Sequence, residues 1–402
     1  MNSIENKAVD YLSKRAVVVY FWAVTALSVI VRFFCRGFVS GDAILYLLPW
    51  YDEIKALGSG CLSQQVGDYN ILYQTIIYLF TLLPVKPLYA YKCLSIIFDY
   101  ALAIIVALIA DEGTASGLTN RLNSVKFVGF YSAVILSPLV FLNSACWAQC
   151  DSIYSFFVFA ALYAYMKKRT HLTFILYGIA FAFKFQSIFA LPFFILLYVA
   201  ERKHSILKFL YIPLMLVVSA LPGILNGRNI LDPFTIYFNQ TETYSDVSMN
   251  YNSFWNCLIN AWPGANNDYK EFKIIAVCFT AWILGMIVLW VIKHNITIDN
   301  TNIIFFLHLI VYTCILFLPT MHERYSYIYE ITAIILMFKD KKFFFPGIGV
   351  ILLSCMTYGY CMFELEYPIL SMSFLNVFIY AWYVYVFVKS KQEWGSAAIS
   401  GH

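Results

Sequence analysis

Long apolar runs recur from Ala16 to Val388, separated by short polar segments. A helix needs about 20 largely apolar residues to cross a bilayer, and no water-soluble fold hides so many stretches of that kind. The expected fold is therefore an all-α integral membrane protein, with one polytopic domain over residues 1–394 and a tail at 395–402. Composition agrees, since 61% of residues are hydrophobic and 12% charged, against roughly a quarter charged in soluble domains. The first run, Ala16 to Phe34, is too long for a secretory h-region and reads as the first span. A net charge of +4 reflects basic loops on one side of a membrane and gives no indication of nucleic acid. The ten Cys form no CxxC pair, and Cys146 and Cys150 read as packing residues rather than metal ligands.

Basic residues then set the topology. They cluster at Lys7/Lys14/Arg15, Arg121/Lys126, Lys167/Lys168/Arg169, Arg202/Lys203/Lys208, Lys293, Lys339/Lys341/Lys342 and Lys389/Lys391, which marks these loops as cytoplasmic. About 40 residues separate Lys126 from Lys167, enough for two spans that turn at Asn143 to Ser152. The same arithmetic places outer turns at Lys184-Phe185-Gln186 and at Pro319 to Tyr325. The short interval from His171 to Glu201, about 29 residues, implies a cavity open to the outside or a thinned edge. The count reaches about 12 spans with both termini cytoplasmic, spans near Cys93–Ala110 and Ile206–Leu225 among them. Long outer loops cover about 35–92 and 226–273, and Ile71 to Leu83 forms a juxtamembrane helix in the first.

Three outer turns and the first loop thus bring their polar residues to one face. Asp42 follows the first span beside Gly41, where a carboxylate is placed to take a proton from a substrate hydroxyl; Asp52 in Pro49-Trp50-Tyr51-Asp52 is the second such acid. Asp151 and Gln149 stand at the second turn. Lys184 sits among Phe residues and requires an anionic partner, either Asp151 or a bound phosphate. His322-Glu323-Arg324 adds an imidazole and a guanidinium suited to phosphate oxygens. Asp99 lies within a span, either as a functional acid or as the structural partner of Lys92 two turns away. Lys92 and Arg228 are further bases for the outer face, and Trp50, Tyr51, Trp147 and Trp255 are aromatic surfaces for sugar rings. No compact ligand cluster is visible, so no metal or other cofactor is expected.

The ordered set Gly41-Asp42, Pro49-Trp50-Tyr51-Asp52, Trp147-Ala148-Gln149-Cys150-Asp151-Ser152-Ile153-Tyr154, Phe183-Lys184-Phe185-Gln186 and Met321-His322-Glu323-Arg324-Tyr325 resembles the GT-C glycosyltransferases. It is most similar to bacterial proteins related to the mannosyltransferase that adds the second mannose of GPI anchors. The resemblance implies a polytopic helical enzyme of a bacterial plasma membrane with an extracytoplasmic active site. There a sugar would pass, with inversion, from a polyprenyl-phosphate donor to a lipid-, polymer- or protein-linked acceptor. It implies that Asp42 acts as the base or orients the acceptor hydroxyl, that Gln149 and Asp151 contact the sugar or acceptor, and that Lys184, His322 and Arg324 hold the departing phosphate. Beside these, Asp52 is the second candidate acid, Trp50, Tyr51 and Gln186 are candidate substrate contacts, and Glu323, Lys92 and Asp99 are candidate supporting residues. Members often carry two adjacent acids on the first loop, whereas Asp42 is followed by Ala43, which leaves the division between Asp42 and Asp52 open. The alternatives are a lipid-linked glycan polymerase or flippase, and a secondary transporter, although the chain shows no internal repeat.

Overall fold

In the computed structural model the described residues are 15–111, 117–259 and 269–391, with Glu5 and Trp394. Lys7 and Lys14 of the first basic cluster and the tail at 395–402 lie outside them. The chain is an all-α membrane protein: among the described residues five helices are long and apolar enough to cross a bilayer, or six if one bent pair is a single span.

The principal helices are α1 (Ala16–Cys35), α2 (Leu48–Leu57), α3 (Ile71–Thr81), α4 (Pro87–Ala110), α5 (Val125–Ile135), α6 (Asp151–Met166) and α7 (Thr170–Phe183). They continue with α8 (Leu191–Glu201), α9 (Tyr269–Lys293), α10 (Ile303–Phe317), α11 (Tyr327–Lys339), α12 (Phe344–Phe363) and α13 (Ile369–Lys389). The bent pair is α5 and the segment Pro138–Cys146, at 50° to each other. Pro138 follows the end of α5 and lacks the N–H that would continue its ladder. The expected span near Ile206–Leu225 is instead three pieces, a 3₁₀ turn at Ile206–Leu210, then Tyr211–Ser219 and Leu221–Leu225, with a proline opening the last.

Helix α10 is the axis of the bundle. Every residue from Ile303 to Phe317 is buried, as an all-round apolar helix requires. It packs antiparallel to α11 with the Tyr312 and Tyr329 rings stacked at 4.2 Å. Helices α6 and α7 form a second hairpin, joined by Phe157 stacked on Phe183 at 5.5 Å. At the periphery, α1 and α9 expose Trp22, Phe33, Ile274 and Trp282, the pattern of lipid-facing surfaces.

Short turns make successive helices alternate in direction, so their ends sort into two sets. Arg15, Lys126, the triplet 167–169, Arg202, Lys203, Lys293, Lys339, Lys341, Lys342 and Lys389 fall at one end. The other end collects the end of α1, the start of α6, the turn between α7 and α8, and the turn between α10 and α11. Helices α6, α7 and α10 have 16, 14 and 15 residues, or about 21–24 Å at 1.5 Å per residue, against a hydrocarbon core of about 30 Å. Their shortness leaves room for a polar recess at that end.

Two charges inside the bundle have partners the sequence reading did not assign. Asp99 Oδ2 accepts from Arg32 Nη2 at 2.8 Å and Nε at 3.1 Å, and from Ser144 Oγ. Lys92 instead donates to the carbonyls of Cys35, Arg36 and Phe38 at 2.6–3.2 Å, satisfying the end of α1. Residues 92 and 99 lie about 10.5 Å apart along their helix, too far for a direct pair when each has a nearer partner. Neither lines the two cavities described below; both tie α1 to α4.

Candidate active site

Asp42 starts a π-helical turn, Ala43–Leu47, that runs into α2 and holds the carboxylate against the turn before α6. Its Oδ2 accepts from Gln149 Nε2 at 2.7 Å, Arg324 Nη2 at 2.9 Å and Trp147 Nε1 at 3.1 Å. All three of these bonds fall on Oδ2, and none of them engages Oδ1. Ser40 fixes the approach, its Oγ donating to the Trp147 carbonyl at 2.9 Å.

Around this carboxylate lies a cavity of about 640 Å³. It is walled by Trp50, Tyr69, Gln149, Lys184, Gln186, His322, Glu323 and Arg324, from segments spread over most of the chain. A second cavity of about 410 Å³ is lined by Asp42, Trp147, Asn250, Glu323, Tyr360, Cys361 and Glu364. Asp42 and Glu323 border both.

The His322 segment is positioned by a two-residue parallel ladder, with Ser248 opposite Met321 and Met249 opposite His322. His322 packs edge-on to Tyr244 at 4.9 Å, and its Nε2 is buried without a hydrogen-bond partner among the described residues. Glu323 is flanked by His322 Nδ1 at 3.8 Å and Arg324 Nε at 3.5 Å. Burial pushes its carboxyl up, but the neighbouring His322 imidazole and the Arg324 charge outweigh this and hold it below the ordinary 4.5. Arg324 is itself disfavoured by burial, yet Asp42 and Glu323 more than compensate and raise it. Its guanidinium also lies 5.4 Å from the Trp147 ring.

Lys184, which ends α7 in extended backbone, forms a buried ion pair with Asp151 at the start of α6. Asp151 Oδ2 accepts from Asn143 Nδ2 at 2.8 Å, and the N-terminus of α6 adds a favourable dipole. Of the two partners proposed for Lys184, the structure supplies the carboxylate. Lys184 borders the cavity, while Asp151 is sealed behind it.

The remaining expected site residues divide. Trp50 lines the cavity, set edge-on to Tyr69 at 5.6 Å, and Gln186 reaches it from the turn after α7. Asp52 is exposed on α2, about 15 Å along the helix from Asp42, and borders neither cavity. Tyr51 is buried, its hydroxyl directed at the Phe80 carbonyl. Trp255 is likewise internal, donating to the Phe317 carbonyl at 2.7 Å. Arg228 is buried, with Nε on the Leu62 carbonyl at 3.0 Å and contacts to Gln65 and Gln74 at 2.8 Å, so it staples the first outer segment to α3. Among the described residues no group of three His, Cys, Asp or Glu is placed to hold a metal ion.

Several site residues had no earlier role. Tyr69 donates to Gln149 Oε1 at 3.2 Å. Tyr244, Asn250 and Lys273 come from the long loop and the start of α9, and Glu364 from the end of α12. Of the seven non-glycine residues with positive φ among those described, Asn250, Thr320 and Glu364 line the cavities and Ala148 lies between Trp147 and Gln149. Strained backbone of this kind concentrates at functional sites. Fold and site together define a polytopic helical membrane protein with a charged, aromatic-lined recess at one end of its bundle. No protein-family model matches the chain, and no curated protein matches it.

Proposed function

We propose that this chain is a membrane glycosyltransferase of the GT-C type. It moves a sugar from a polyprenyl-phosphate donor to an acceptor hydroxyl at the outer face of a bacterial plasma membrane. The observation that carries the reading is Asp42, a carboxylate held through one oxygen at the border of two cavities. A transfer between two substrates needs this layout, with each partner in its own recess and the base at their junction. The separation of the basic helix ends from the cavity end supports an outward-facing site, cytoplasmic termini and about 12 spans, the shorter helices included.

The chemistry is a single displacement. Asp42 Oδ1 takes the proton of the acceptor hydroxyl as its oxygen forms a bond to the anomeric carbon. The bond from that carbon to the phosphate oxygen breaks, and its electron pair leaves with the polyprenyl phosphate. Attack opposite the leaving group inverts the anomeric centre. Arg324 orients Asp42, and His322, which lines the same cavity, holds the departing phosphate. Gln149, Trp50 and Gln186 hold the sugar, while Lys184 is anchored by Asp151 to shape the same wall.

Purified protein in lipid nanodiscs, supplied with a panel of polyprenyl-phosphate hexoses and pentoses, should release polyprenyl phosphate from at least one donor by transfer or slow hydrolysis. A result with no turnover and no binding of any donor ends the reading. A transporter is the poorer fit, since the charges gather at one end of the bundle rather than at discontinuous helices near its middle.

A further inference from the structure

The larger cavity holds three cationic side chains, and two are already matched by acids. Lys184 is paired with Asp151, and Arg324 lies between Asp42 and Glu323. Lys273 differs: the hydrogen bond described for its Nζ goes to a neutral acceptor, the Thr241 carbonyl, at 2.7 Å. Its charge is therefore available to an anion. Thr243 and Tyr244 line the same side of the cavity and carry hydroxyls.

Lys273 also marks where the cavity meets the membrane. It lies in the second turn of α9, and Val277, one turn further on the same face, also lines the cavity and is 44% exposed. Ile274 and Trp282 continue this exposed apolar surface along α9. The cavity lining also includes Ile188, Phe189 and Leu318. A cavity lined by an ammonium and by apolar side chains that adjoin exposed apolar helix surface suits a phosphate attached to a hydrocarbon chain.

We propose that the Lys273–Val277 edge of α9 is a lateral portal, and that Lys273 anchors the phosphate of a membrane-borne phospholipid-type ligand as its chain lies against α9. This rests on reading the cavity as a lipid-phosphate sugar site, and it adds Lys273 as the main phosphate contact beside His322. Lys273 binds and positions the ligand; it takes no part in proton transfer.

Native mass spectrometry of the full-length protein in detergent tests this without turnover, using a polyprenyl phosphate, the matching polyprenol and inorganic phosphate. Lys273→Gln should weaken polyprenyl-phosphate binding by about tenfold or more, as expected for loss of a charge-assisted hydrogen bond, and Lys273→Arg should stay within about threefold of wild type. Lys270→Gln, an exposed lysine outside the cavity lining, should change nothing. Polyprenol should bind more weakly and ignore the substitution at Lys273. Val277→Trp, which fills the portal and leaves the charge, should also lower lipid binding, and it covers the case in which Lys273→Gln does not fold. Unchanged binding in both Lys273→Gln and Val277→Trp overturns the proposal. Displacement of the lipid by equimolar inorganic phosphate also overturns it, in favour of a soluble-anion site. Lipid binding through Lys273 with no sugar donor turned over upholds the portal and removes the glycosyltransferase reading alone.

Discussion

Arg324 Nη2 lies 2.9 Å from Asp42 Oδ2 across 282 positions of sequence, closing the first outer segment onto the turn between α10 and α11. The planar guanidinium does this while also facing Glu323 and the Trp147 ring. A lysine offers one point charge and cannot keep that geometry. Arg324→Lys should therefore lower turnover on a confirmed donor by about 100-fold, the scale of a 1 Å misplacement of a reacting group, with little loss of thermal stability. Wild-type kinetics in this variant would show that the pairing does not position Asp42.

Asp52 provides the contrast. Exposed on α2 and outside both cavities, it should tolerate Asp52→Asn with turnover within about threefold of wild type, since surface substitutions of this kind have small effects. Steady-state assay of the variant resolves which of the two acids does the chemistry. A loss comparable to that of Asp42→Asn would mean that the two act together.

The Asp151–Lys184 pair is buried, with side chains 0% and 3% exposed. Removing one partner strands the other charge, at a cost of about 3–5 kcal/mol. Asp151→Asn alone should sharply lower the melting temperature in detergent. Asp151→Asn combined with Lys184→Met should recover much of that loss. Additive destabilisation in the double variant would argue that the two residues are not coupled.

Gly67 has φ +70°, and a Cβ there would meet the Trp50 ring at 2.5–2.9 Å. Gly67→Ala thus adds backbone strain and pushes on an indole that lines the cavity. The expected signature is a raised KM for the donor and a shift in tryptophan fluorescence. A variant with unaltered KM would place Trp50 outside the binding surface.

Glu323 predicts a pH dependence. Its folded pKa lies below the ordinary 4.5, so its contribution to stability is complete above that value and is lost as pH falls through the lowered one. Melting curves of wild type and Glu323→Gln should differ by a constant amount well above pH 4.5 and converge as pH falls through the lowered folded value. A difference that widened on acidification would have the wrong sign.

Much of this was legible in the chain. Apolar run lengths located α1 and α3 within two residues at each end and the end of α4 at Ala110, because a bilayer leaves helix as the economical way to satisfy the backbone. Loop arithmetic grouped Asp42, Gln149, Lys184 and His322 at one end, and those four share a cavity. Side-chain pairing was less accessible. Arg32 lies in an apolar run just as Asp99 does, and the rule that flagged the acid would have flagged its partner. Lys92, Arg228, Tyr51 and Trp255 looked like site residues by type, but each satisfies backbone or core contacts instead. Lys273 and Glu364 carry no local pattern; only the packing of α9 and α12 brings them to the cavities.

The central claim is sugar transfer with Asp42 as the base. Its most direct test is the rate at which a labelled polyprenyl-phosphate sugar is consumed by wild type and by Asp42→Asn, each in nanodiscs with equal donor binding verified. The account predicts turnover by wild type and a rate lower by about 10²–10⁴ in the variant, the usual contribution of a positioned general base. Equal rates in the two proteins would contradict it.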